Sequence, residues 1–130
     1  MFNIIDSTEG VKADLVPLSR EPEYRLAFER RVREKYVDEN GEAFETWFAQ
    51  PTDIIIGKLR AWNEGRSDKH PKDIFSILYF CLRGYSNYDV NLDEVTKEAA
   101  RIGRETLEMW NKTLAKAKEE IEKGDTPRRW

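Results

Sequence analysis

The sequence is most tightly constrained between residues 51 and 82, where two helical patterns follow one another across a short polar loop. Pro51 suits a first helical position, because its missing N–H would have no intrahelical partner there and its φ is already set. Asp53 falls in the first turn, where a carboxylate meets the positive end of the helix dipole. Ile55, Ile56, Leu59 and Trp62 recur at helical spacing, and Gly65 supplies a stop. After residues 67–70, Pro71 opens a second helix. Its apolar positions Ile74, Phe75, Ile77, Leu78, Cys81 and Leu82 span an arc wide enough to predict near-complete burial. Lys58 and Asp73 are charged positions inside these apolar surroundings, which makes them the first candidates for chemistry.

At 130 residues the chain has the length of one domain able to bury a core without staples. We expect that domain over 1–124, strand-rich over 1–50 and helical over 51–124, with 125–130 as a flexible tail. Charged residues make up 36% of the chain, which predicts a heavily solvated surface, and the net charge of −3 argues against general nucleic-acid binding. One cysteine and one histidine exclude a disulfide framework and a Cys/His zinc pattern. Cys81 reads as a core thiol and His70 as a surface histidine in a polar loop. No apolar run is long enough to span a membrane and no signal-peptide pattern opens the chain, so a cytoplasmic protein is expected.

Upstream, two short apolar runs at 2–5 and 11–18 flank Asp6 to Gly10, the pattern of a hairpin with Gly10 at positive φ. Leu15, Val16 and Leu18 are its core candidates, and Asp14 interrupts the second strand. Residues 21–36 read as a helix with Tyr24, Ala27, Phe28 and Val32 inward and (i, i+4) pairs such as Glu21–Arg25 and Glu29–Arg33 outward. Arg31 falls on the inward stripe, where a guanidinium calls for a carboxylate or phosphate partner. Asp38 to Gly41 is a turn signal, and residues 43–50 alternate as a third strand. Asn91 and Glu94 form a capping box for a helix carrying Val95, Ala99 and Ile102. A last helix over about 104–123 carries Leu107, Trp110, Leu114, Ala117 and Ile121 and stops at Gly124. Trp47, Trp62 and Trp110 read as core residues. The fold class is α+β: a small mixed sheet of about three strands with helices on it and a C-terminal helical hairpin or bundle.

Read as strings, Asn3-Ile-Ile-Asp6, Gly10-Val-Lys-Ala-Asp14-Leu, Phe28-Glu-Arg-Arg31, Ala49-Gln-Pro-Thr-Asp53-Ile-Ile-Ile-Gly-Lys58-Leu and Lys72-Asp73-Ile74 resemble a group of bacterial nucleotidyltransferase-like proteins. These are similar to the nucleotidyltransferase halves of abortive-infection toxin systems, and the resemblance covers residues 3–82. It implies a DNA-polymerase-β-like fold, in which a Gly-Ser turn holds a nucleoside triphosphate and an Asp-x-Asp pair plus a third carboxylate bind Mg²⁺. Asp14 matches the third carboxylate and is the implied metal ligand. Lys58 matches a helical lysine that neutralises phosphate oxygens. Asp73 matches an acidic position that orients Lys58 or Arg31, with Lys72 as the basic residue before it.

The chain departs from that family where metal chemistry needs most. It has no Gly-Ser turn and no Asp-x-Asp pair, and the corresponding strands are expected upstream of Met1. A two-metal centre needs carboxylates that bridge both ions, and one aspartate does not supply them. The expectation is a truncated nucleotidyltransferase-like domain that retains part of a nucleotide and phosphate pocket and does not transfer nucleotides alone. A sheet missing its first strands has an open edge, so a homodimer or a partner protein covering that edge is expected. The alternative is a non-catalytic assembly module, one half of a toxin–antitoxin or two-gene nucleotidyltransferase system. Each candidate also has a plainer reading. Asp14 can pair with Arg31 or Lys12, Lys58 can extend past Trp62 to water, and Asp73 can complement a helix N-terminus.

Overall fold

The computed structural model describes residues 2–15 and 19–125, with side chains at 5, 7–10 and 19–124. The chain divides into two compact units, Met1–Ala49 and Gln50–Trp130. The class is α+β, and among the described residues the strands lie in the first unit and the long helices in the second. The core candidates Leu15, Val16 and Leu18 and the tail lie outside the described side chains.

In the first unit, β1 (Phe2–Asp6) and β2 (Val11–Leu15) form an antiparallel hairpin with Asp6 opposite Val11. Gly10 turns it at φ 68°, a conformation that a Cβ would disfavour. A second antiparallel hairpin joins β3 (Val32–Val37) to β4 (Ala43–Phe48). Asp38 builds its loop: one carboxylate oxygen accepts from the backbone N–H groups of Asn40 and Glu42, each at 2.9 Å, while Gly41 sits at φ 80°.

This arrangement corrects the expected helix over 21–36 and the expected mixed sheet of three strands. The segment contains a 3-10 turn, Pro22–Tyr24, and only five residues of helix, α1 (Arg25–Glu29), before β3 begins. The described strands are four, in two separate two-stranded sheets. Val32 and Val37 bracket β3 with side chains that favour the pleated backbone, and its turn returns the chain along β4. The charged residues therefore pair across strands: Arg33 reaches Glu45 at 2.8 Å, in place of the helical Glu29–Arg33 pair.

The second unit is a four-helix bundle: α2 (Pro51–Gly65), α3 (Lys69–Leu82), α4 (Leu92–Ile102) and α5 (Arg104–Asp125). Its core joins Ile55, Ile56, Leu59, Ile74, Leu78, Val95, Ala99, Trp110 and Ala117, so each helix contributes the stripe that its spacing specifies. Trp110 is fully buried, and its indole N–H donates to the Thr96 hydroxyl at 2.9 Å. Asn91 caps α4 by accepting from the Glu94 N–H, and its own N–H donates to Thr52 on α2 at 2.9 Å. α2 ends at Gly65 as its sequence pattern predicts, and Arg66 caps it at φ 56° in the left-handed region with its N–H on the Trp62 carbonyl at 2.7 Å. α3 is less buried than its composition predicts: Phe80 is 52% exposed, and Ile74, Leu78 and Cys81 carry its buried face.

Trp110 is the largest fully buried side chain of this core and its polar atom is satisfied. Replacing Trp110 with Ala should destabilise the protein by about 3–5 kcal/mol, mainly through the cavity left behind, since the Thr96 hydroxyl loses the indole donor but still donates to the Leu92 carbonyl at 2.8 Å. Urea unfolding followed by circular dichroism reads this directly, and a loss below about 1 kcal/mol would contradict the described packing.

Candidate functional site

Lys58 lies seven residues into α2, and Asp73 lies five residues past the N-cap Asp68 of α3. The apolar stripes on either side of them are buried in one core, so the two helices are held face to face and these charged positions are left at the seam. There the Lys58 ammonium donates to an Asp73 carboxylate oxygen at 3.0 Å. The side chains are 29% and 50% exposed, so the pair is screened, and an ion pair of that kind contributes under about 1 kcal/mol. Such a pair fixes where Lys58 points while leaving it free to exchange partners.

α3 starts at Lys69, two residues before Pro71, because the first helical N–H groups have no intrahelical acceptor and proline is tolerated in that turn. Asp73 is thus in the second turn, too far in to complement the helix N-terminus, and it faces Lys58 instead. His70 also departs from the expected surface histidine. It is half-buried, and its Nδ1 is closed off from solvent without a hydrogen-bond partner among the described residues. Burial holds its pKa below the usual 6.5, the charges of Lys69 and Lys58 lower it further, and only Asp73 opposes them. The start of α3 therefore carries His70 and Asp73 opposite Lys58 of α2, with the imidazole within electrostatic reach of both charges. His70 is the residue that spacing alone did not single out. Its position one residue after Lys69 and three before Asp73 is the signal for it.

Lys72 points elsewhere. One residue along a helix turns the side chain by about 100°, and Lys72 lines a groove between α3 and α5 with Phe75 and Met109. Cys81 is buried as read from the sequence, and burial raises its thiol pKa, which keeps it protonated and inert.

In the first unit, Asp14 lies on β2 opposite Asn3, and its side chain lies outside the described ones. Arg31 stands between α1 and β3 rather than on a helical stripe. It donates to the Phe28 carbonyl at 2.7 Å, and its guanidinium carbon sits 3.9 Å from the Phe28 ring centre and 4.5 Å from that of Trp47. Aromatic faces and a carbonyl take the place of the expected anionic partner. Trp47 is 53% exposed rather than core, whereas Trp62 is half-buried at the end of α2.

Among the described residues no three His, Cys, Asp or Glu side chains cluster as metal ligands. Asp14 alone offers one carboxylate, whereas Mg²⁺ takes six oxygens and usually more than one carboxylate or phosphate. A single aspartate carboxylate does not by itself fit the ion. No described helix is long and apolar enough to cross a membrane.

The depressed pKa of His70 gives a signed pH dependence. The unfolded chain binds a proton near pH 6.5 while the folded chain resists it, so stability should fall as pH drops below about 6.5. Replacing His70 with Gln should flatten the decline between pH 6.5 and 5, measured by thermal melts across that range. An unchanged slope would place the imidazole in water.

Comparison of the chain with protein-family models, with curated proteins and with solved structures finds no match in any of the three.

Proposed function

We propose that this chain is a nucleotidyltransferase-like protein whose α2–α3 seam retains a phosphate subsite for a nucleoside triphosphate, and that it does not transfer nucleotides by itself. The observation that carries the reading is the Lys58–Asp73 contact at 3.0 Å. The two residues belong to separate strings of the resemblance, fifteen positions apart, and meet side by side. A partly exposed ammonium on a helix seam suits phosphate oxygens, and the carboxylate that holds it contributes too little energy to keep a triphosphate away. Lys69 adds a second positive charge near His70. Asp14 remains the candidate third carboxylate and Arg31 a candidate substrate contact. Catalysis needs bridging carboxylates beyond Asp14, so the role assigned here is binding.

A nucleoside triphosphate, with or without Mg²⁺, should raise the melting temperature by at least about 2 °C at a concentration well above its dissociation constant. Lys58→Ala should abolish the shift while folding normally, because a screened pair contributes little to stability. No shift in the parent protein, or a full shift in the variant, would overturn this reading.

A second reading has its own observation. The hairpin β3–β4 has only two strands, and Tyr36, Val37, Phe44 and Trp47 on it are about half exposed or more. Open edges beside exposed aromatic rings favour pairing with another chain, which supports an assembly role with a homodimer as the simplest form. Light scattering at micromolar concentration should then give twice the 15.3 kDa chain mass. A monomeric mass would remove the homodimer.

A further inference from the structure

The helical unit carries a second surface that the phosphate reading does not use. A cavity of about 560 Å³ runs between α3 and α5 beside the end of α2. Its floor is apolar, made by Trp62, Phe75 and Met109, all half-buried. Its rim is basic: Lys72 from α3 and Lys112 and Lys116 from α5, all exposed. The only acidic lining residue is Asp68.

These three lysines stand out in a chain of net charge −3. None of them forms an ion pair among the described residues, although neighbouring α5 charges do, as Lys123 does with Glu119 at 3.1 Å. Lys116 instead lies 5.8 Å from the Phe75 ring centre. The walls repeat at helical spacing, with 68, 72, 75 and 76 on one side and 109, 112, 113 and 116 on the other. An apolar floor flanked by exposed lysines, one on α3 and two on α5, matches an amphipathic helix laid in a groove, with apolar side chains downward and carboxylates toward the rim.

We propose that the α3–α5 groove docks an acidic amphipathic helix of a partner protein. The inference stands apart from the phosphate subsite, since Lys112 and Lys116 belong to a different face from the Lys58–Asp73 pair. A nucleic acid fits less well. The overall negative charge of the chain opposes a long polyanion, and the rim has lysines where base and phosphate readers favour arginine forks.

The test uses the full chain and a sixteen-residue synthetic helix with Leu at i, i+3 or i+4, and i+7 and Glu between them. Amide NMR titration should move signals from the α3 and α5 residues lining the groove, with binding that weakens as salt is raised. The exposed double variant Lys112→Glu/Lys116→Glu should lose at least tenfold in affinity, and Lys58→Ala should bind like the parent. Retained peptide binding in Lys58→Ala alongside a lost triphosphate shift separates the two sites. The proposal is overturned if the peptide does not bind, if its shifts map elsewhere, or if the double variant binds equally well. It is equally overturned if a Lys-for-Glu peptide or a single-stranded oligonucleotide binds the groove more tightly.

Discussion

The burial of Ile55 and Leu59 in one core with Ile74 and Leu78 is the constraint on which the rest of the helical unit depends. All four are fully buried, so sliding α2 along α3 would expose apolar area at about 25 cal/mol for each Å² and open voids in a close-packed interior. Fixing that register fixes the seam, and the seam decides which polar residues meet. Lys58 lies one residue before Leu59, and Asp73 lies one before Ile74, so each flanks the buried stripe of its helix. Their contact is a consequence of core packing. The weak energy of the ion pair would not be enough to align two helices.

The same logic explains how much of the fold is legible in the sequence. Helices α2 to α5 declare themselves because their stripes are local, long and regular, and the cap Asn91 and the breaks near Gly65 and Gly103 punctuate them. Residues 21–36 mislead because Arg, Glu and Lys are good helix formers and because 24, 27, 28 and 31 share a helical stripe. What makes 32–37 a strand lies outside it, in the Asp38–Gly41 turn that follows at once and in the pairing of Val32 with Phe48, 16 positions on. Pairing of that kind is a non-local interaction that no single window contains. Arg31 then changes meaning with its backbone. On a helix it would face a core and require an anion; at the mouth of a hairpin it stacks on Phe28 and Trp47.

The candidate site was legible in part. Lys58 and Asp73 stand out as charges among apolar neighbours, yet their contact depends on the path of residues 66–68 between the helices. That path is set by Arg66 in a left-handed conformation, held by its N–H to Trp62, by its stacking 4.4 Å from the Trp62 ring centre, and by an ion pair to Glu105 on α5. Such a cap is far more common for glycine, and nothing in the local pattern names arginine for it. His70 gains its character the same way. It reads as a loop residue until α3 extends back to Lys69 and draws the imidazole partly out of water. Around it, Lys69 and Lys58 act against its protonated form and Asp73 acts for it, and Lys58 is positioned by Asp73 in a screened, weak pair.

The most direct measurement of the central claim follows the Lys58 ammonium itself by nitrogen-detected or side-chain NMR as a nucleoside triphosphate is added. Exchange of Asp73 for phosphate oxygens should move the Lys58 Nζ signal saturably, while the Lys118 signal, from an exposed residue on α5, stays in place. A Lys58 signal that remains fixed at saturating triphosphate, or that moves no more than that of Lys118, would contradict a phosphate subsite at the α2–α3 seam.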